Sequence, residues 1–290
     1  MKKRNAIIAM MCVLIMVGAF ALSSCSPSGP AAGKQIVRLK VFAPISLSGA
    51  ISEAQVLYNK ENPDVVFVDT QFKNSSELNA MLEGGAYADL ESTASKSTRD
   101  EAEEKGLINQ DTRTAMLRNE LVIVAANWNE DNTAVTLEDI ATGSYTVCVG
   151  SDNVAAGIYA NQSLSTVGCF NDSNGKVGAE AVGKADGAEA YAGTPIEDKV
   201  VIAESVDDVC TNVTNGNVDI ALVYKSDAER FSGTKVVGVI PVNTHKNIIY
   251  SGAICTRSVS VGASKAFLDW CLTDKDAIAI WQKWGFELVA

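Results

Sequence analysis

Short apolar runs alternate along this chain with small polar turns, and several of those turns open into a helical period. Leu39, Val41 and Ala43 have strand spacing, and Ala50, Ile51, Ala54, Leu57 and Tyr58 have helix spacing. Between them lie Pro44, Ile45, Ser46, Leu47, Ser48 and Gly49, so hydroxyls sit where a strand hands over to a helix. Further strands are expected at Val65–Val68, Ala88–Leu90, Glu120–Ala126, Tyr145–Gly150, Lys199–Ala203, Val218–Tyr224 and Val236–Ile240, with an extended return over Asn247–Cys255. Helices are expected after Ser75-Ser76, over Asp100–Lys105, from Val154, after Ser205, and over Ser260–Leu272 and Asp274–Trp284. Thr136-Leu-Glu-Asp139 has the pattern of a capping box. Strands that alternate with helices predict an α/β fold with mainly parallel sheets flanked by helices.

The first residues do not belong to that fold. Lys2, Lys3 and Arg4 precede an apolar run from Ala6 to Leu22, the pattern of an export signal over residues 1–24. Leu22-Ser-Ser-Cys25 resembles a bacterial lipobox, which implies cleavage before Cys25 and a lipid on its sulfur. Residues 25–36 then read as a lipidated cysteine and a flexible tether. The length that remains suits two lobes. Residues 37–125 with 249–290 are expected to form the first and 126–248 the second, with 171–194 as a surface insertion poor in large apolar residues.

Charge narrows the function. The chain has 24 Lys+Arg and 35 Asp+Glu; without the three basic residues of the signal the balance is 21 against 35, a net charge of −14. Nucleic acid is therefore not an expected partner, because that binding needs clustered cations. An anion bound here must be held by local dipoles. Of seven cysteines, Cys12 lies in the signal and Cys25 in the lipobox. Cys148, Cys169, Cys210, Cys255 and Cys271 have no CxxC spacing, so no metal or redox motif is expected, and their pairing is open.

No catalytic set emerges. His245, the one histidine, sits in Val242-Asn-Thr-His-Lys246 and reads as a solvated turn residue. Neither GxSxG nor GxxxxGK[ST] is present. What recurs is hydroxyls and small residues at helix starts, where free N–H groups and the helix dipole favour an anion: Ser46, Ser75 with Ser76, Ala156 with Gly157, and Ser205 with Val206. Lys73, near Ser75, and Lys225, beside Tyr224, are expected to be solvated.

In one order along the chain, the motifs resemble those of the molybdate-binding proteins of molybdate ABC importers. They are Val41-Phe-Ala43 with Ser46-Leu47, Asn74-Ser-Ser76, Gly85-Ala-Tyr-Ala-Asp-Leu90, Lys105-Gly-Leu-Ile108, Asn119–Val124, Ala156-Gly-Ile-Tyr-Ala160, Ala203-Glu-Ser-Val206, Leu222–Ala228 and Trp284-Gly-Phe286. The resemblance implies a two-lobed, type II periplasmic-binding-protein fold that holds molybdate, possibly tungstate, in the interlobe cleft and delivers it to an ABC permease. It implies five ligand residues: Ser46 and Ser75 through hydroxyls, Ala156 and Val206 through backbone N–H groups, and Tyr224 through its phenol. Neither cofactor nor cationic metal is implied; molybdenum arrives as the oxyanion. The protein would be an extracytoplasmic monomer, anchored to the membrane through Cys25 and without enzymatic turnover. Ala155, Pro44-Ile45 and Glu91–Ser95 depart from the family pattern, which keeps a sulfate or other oxyanion receptor as an alternative. A secreted lipoprotein enzyme and a surface adhesion module are alternatives of other classes.

A donor-only site suits a tetrahedral dianion that is fully deprotonated at neutral pH, because such an ion only accepts hydrogen bonds. Phosphate keeps a proton and needs an acceptor as well.

Overall fold

The computed structural model describes residues 35–131, 134–185 and 187–289, so the expectations for the signal and for Cys25 lie outside the described residues. Ile36–Ala290 is one compact unit. Its strands in chain order are β1 (Val37–Leu39), β2 (Val41–Pro44), β3 (Val65–Phe67), β4 (Gln71–Lys73), β5 (Leu90–Thr93), β6 (Thr114–Arg118), β7 (Leu121–Ala126), β8 (Val147–Gly150), β9 (Val200–Ala203), β10 (Ile220–Tyr224), β11 (Thr234–Val239), β12 (Ile249–Ile254) and β13 (Glu287–Leu288). The helices are α1 (Ser48–Glu61), α2 (Ser75–Glu83), α3 (Lys96–Glu104), α4 (Leu137–Ile140), α5 (Ala155–Ser165), α6 (Val206–Thr214), α7 (Lys225–Arg230), α8 (Val261–Thr273) and α9 (Lys275–Lys283).

Each lobe is built on one sheet. The first has the order β13-β6-β12-β5-β2-β4 and the second β11-β7-β10-β8-β9. Both are mixed, which corrects the expectation of mainly parallel sheets. Strands joined through helices run parallel, as in β5-β2-β4 and β10-β8-β9. The strands beside the two interlobe crossings run the other way: β7 is antiparallel to β10 and β11, and β12 to β5 and β6.

The first crossing also differs from the expectation. The expected lobe boundary lies after residue 125, but β7 pairs only within the second sheet, so the chain crosses at Asn119-Glu120. All six residues of β7 are buried. A run that is apolar on both faces fits the middle of either sheet, so its sequence carries no sign of which one it joins. The expected strand at Leu39–Ala43 is likewise two strands. At Lys40 the backbone N–H donates to Asp89 Oδ2 at 2.9 Å and the carbonyl accepts from Asp89 N at 2.8 Å, and this breaks the run. β1 then pairs with β3 and β2 with β4 and β5.

The core of the first lobe packs α1 and α8 through Tyr58, Phe67, Phe267 and Trp270, whose rings meet at centroid distances of 4.6–6.1 Å. Trp281 of α9 is fully buried and donates to the Cys271 carbonyl at 2.7 Å. Each such side chain removed from water contributes on the order of 1.5–3 kcal/mol. Cys148, Cys169, Cys210, Cys255 and Cys271 are all buried, and no disulfide joins them among the described residues.

Residues 171–194 are more than a surface excursion. The Asp172 carboxylate gathers the N–H groups of Asn174, Lys176 and Val182 at 2.7–3.2 Å. Gln162 of α5 donates to the Ala181 carbonyl at 2.8 Å, and Tyr191 donates to Asn161 Oδ1 at 2.8 Å. Ala181, Ala190 and Tyr191 are buried. Backbone and small residues do this packing, which is why a count of large apolar side chains misses it.

Candidate functional site

Four helix beginnings and one strand end converge between the two sheets. They enclose a cavity of about 110 Å³ whose lining includes Ser46, Ser75, Ala156, Val206 and Tyr224. Ser46 follows Pro44 in a short 3-10 turn that leads into α1. Ser75 is the first residue of α2, and its Oγ accepts from Ala94 N at 3.1 Å, which leaves its own hydrogen free. Ala156 is the second residue of α5. Val206 opens α6, whose cap Ser205 accepts from Asp208 N at 3.1 Å. At all four places the first-turn N–H groups have no partner within their own helix.

Two local features fix these starts. Gly157 sits where a Cβ would lie 2.1 Å from the Gly150 carbonyl oxygen. Its smallness therefore serves the approach of α5 to β8, rather than the approach of a ligand to the backbone. Asn74, before α2, reaches across the lobes and donates to the Glu204 carbonyl at 3.3 Å.

Tyr224 ends β10 and is 2% exposed. Its ring lies between Tyr159 and Tyr250, with centroids 6.2 and 6.1 Å away. Its hydroxyl has no hydrogen-bond partner among the described residues, and burial drives its pKa well up, so it remains a neutral donor. An unmade hydrogen bond on a buried hydroxyl costs about 1–3 kcal/mol, so a group in this state is one that a ligand oxygen can satisfy.

The cavity is not made of donors alone. Glu101, Asp152 and Asp227 also line it, with Lys73 and Lys184. Glu101 accepts from Lys105 at 2.8 Å and from Asn79 at 3.2 Å, and the Lys105 bond holds its carboxyl below the usual range. Asp152 accepts from Ala185 N. Asp227 is fully buried, which pushes its pKa up to about 6 against the pull of Arg230 at 3.5 Å. Lys73 is paired with Glu77, and Lys225 with Glu120 at 2.6 Å, so neither is a free ammonium.

Several lining residues were not singled out from the sequence. Ser95, Ser97 and Thr98 border the cavity because α3 begins at Lys96, earlier than the expected Asp100. The available signal was the hydroxyl-rich Ser95-Lys-Ser-Thr98, in which Ser95 caps the helix by accepting from Thr98 N at 3.3 Å. Lys184 comes from the 171–194 segment.

His245 corrects another expectation. It is 5% exposed and packs edge-on to Tyr159 at 5.9 Å. Its Nδ1 lies 2.7 Å from the Lys246 carbonyl and so donates to it, and burial holds its pKa below the usual value. The ring thus bonds to backbone and not to a serine, the arrangement an esterase would require.

This two-lobed architecture with its interlobe cavity is that of an extracytoplasmic solute receptor. Residues 39–287 match the family of bacterial extracellular solute-binding proteins, and the chain belongs to that family. The molybdate-binding protein ModA of Escherichia coli (strain K12) is 28% identical over 256 residues, which cover 87% of this chain and 89% of that protein. The substrate binding domain of a putative molybdenum ABC transporter from Clostridium difficile is similar with a TM-score of 0.66 at 25% identity, over 88% of this chain and 100% of that one. The sulfate-binding protein SubI from Mycobacterium tuberculosis H37Rv has a TM-score of 0.68 at 16% identity, over 87% of each chain, a likeness of fold.

Proposed function

We propose that this chain captures molybdate, and tungstate as its near equivalent, in the interlobe cavity and presents it to an ABC import permease without turnover. The observation that carries this reading is the meeting of Ser46, Ser75, Ala156, Val206 and Tyr224 in one cavity of about 110 Å³. In this reading the two serine hydroxyls and the Tyr224 phenol donate from side chains, and Ala156 and Val206 donate from helix-start N–H groups. Such donors are aimed before the ligand arrives, so little ordering is required at binding. The relative from Escherichia coli binds molybdate by its name, and the Clostridium difficile domain serves a molybdenum transporter by its title. Sulfate is the second reading, favoured by the fold shared with a sulfate-binding protein. It carries the same charge, so only cavity size separates the two. Calorimetric titration with molybdate, tungstate, sulfate and phosphate decides: tight binding of the first two and weaker sulfate is expected, and preferential sulfate binding reverses the assignment.

The same reading makes the protein a monomer held outside the cytoplasm by a lipid on Cys25, on the strength of Leu22-Ser-Ser-Cys25. Cys25→Ala is expected to move it from the membrane to the soluble fraction, read by fractionation. Unchanged membrane association contradicts the anchor.

A further inference from the structure

Three acids line the cavity, and Asp227 alone among them is fully buried; Glu101 and Asp152 are half-buried. Asp227 Oδ1 accepts from Arg230 at 3.5 Å, but the same Arg230 nitrogen lies closer to Asp207. One guanidinium thus serves two carboxylates, and the trio keeps one negative charge. Asp227 Oδ2 has no partner among the described residues. The cavity therefore borders two buried, unpaired atoms of opposite kind, the donating Tyr224 phenol and the accepting Asp227 oxygen.

The groups packed around Asp227 leave its charge in place. The phenols of Tyr224 on β10 and Tyr250 on β12 and the thiol of Cys210 on α6 are driven up by burial and stay neutral. Asp207, also on α6, adds a like charge, while Arg230 and the Tyr224 backbone pull the other way. Of the cavity's own cations, Lys73 is paired with Glu77 and Lys184 acts on Glu101. A tetrahedral dianion seated among Ser46, Ser75, Ala156, Val206 and Tyr224 brings two more negative charges against this carboxylate in a water-poor site. A like charge at close range favours the neutral acid. A proton on Oδ2 removes the repulsion and turns the one misplaced acceptor into a further donor.

We propose that Asp227 is a sixth anion-facing residue, which takes one proton from solvent as the dianion binds and meets it as a neutral acid. This rests on the reading that an oxyanion is bound in this cavity, and deepens it. The anion itself is unchanged; one proton moves from buffer to Asp227. Free Asp227 is ionised above about pH 6, so above that pH binding takes up protons and affinity falls as pH rises, by up to about tenfold per pH unit.

The test is calorimetric titration of wild type with molybdate, near pH 7.5, in two buffers of different ionisation enthalpy, which counts the protons exchanged. About 0.5–1 proton taken up per anion is expected, with affinity falling about three- to tenfold from pH 7 to 8. Asp227→Asn cannot take the proton and can still donate, so its count is expected near zero and its affinity nearly independent of pH. Tight binding by wild type without proton uptake overturns the proposal and leaves the oxyanion reading intact. An unchanged count in Asp227→Asn also overturns it, because another group, such as His245, then takes the proton. If that variant does not fold, the infrared difference spectrum of wild type decides. A new carbonyl band of a protonated carboxylic acid on adding molybdate supports the proposal, and its absence overturns it. If wild type prefers sulfate, the same count is made with sulfate. If it binds neither anion, the oxyanion reading and the proposal both fall.

Discussion

Tyr224→Phe is expected to weaken molybdate binding ten- to a hundredfold without lowering the stability of the unliganded protein. The phenol is buried and lacks a partner, so removing it takes away a cost and leaves the ring packed against Tyr159 and Tyr250. In the proposed site its bond to a dianion is charge-assisted and would contribute on the order of 1.5–3 kcal/mol, and about 1.4 kcal/mol corresponds to a tenfold change. Ser75→Ala provides the contrast. Its Oγ also accepts from Ala94 N, so that variant loses affinity and about 1 kcal/mol of stability together. Calorimetry and melting curves on the two variants separate these effects. Normal binding by Tyr224→Phe makes Tyr224 a core residue and removes the second lobe's side-chain contribution to the site.

What the sequence discloses here is local, and what it conceals is pairing. The helix starts after Ser205 and Thr136 are legible because capping is a contact within four residues: Ser205 accepts from Asp208 N, and Thr136 and Asp139 form the capping box. The strands β7 and β10 are legible as apolar runs, but the sheet each joins is not, because any buried strand offers the same ladder. For the same reason the antiparallel sense of β7 and β12 and the crossing at Asn119 appear only in three dimensions. His245 reads as a turn residue because its neighbours Asn243, Thr244 and Lys246 are polar; it is buried against Tyr159, 86 positions away in the chain. Of the cavity residues, the four at helix starts carry a sign in the residues themselves and Tyr224 only in the resemblance, whereas Tyr250, which stands behind Ser46 at a separation of 204 residues, carries none.

Replacement of Glu91 by Gln is expected to give the largest change in stability, and one with a definite pH profile. Glu91 lies in the middle of the first sheet, on β5, and is 3% exposed. Neither carboxyl oxygen has a hydrogen-bond partner among the described residues. Burial, with a smaller push from Glu101, raises its pKa from 4.5 to about 8. The Cys255 thiol is itself driven up, by burial first and then by Glu91 and Asp89, so it stays neutral and offers no counter-charge. The folded protein therefore keeps this proton over a range in which the unfolded chain has lost it. Where the native state binds more protons, stability falls as pH rises. The contribution is constant below about pH 4.5, declines between about pH 4.5 and 8, and levels off above. At about 1.4 kcal/mol per pH unit, the total is on the order of 3–6 kcal/mol. Asp227, raised from 3.8 to about 6, adds a slope of the same sign at the acid end. Glu91→Gln keeps the shape and cannot ionise. Urea midpoints at about pH 5 and 8.5 are expected to fall steeply in wild type and much less in the variant, leaving the variant several kcal/mol more stable at the higher pH and nearly equal at the lower. If the two proteins lose stability in parallel, Glu91 is ionised in the folded state, and a cation or donor must lie beside it in the core.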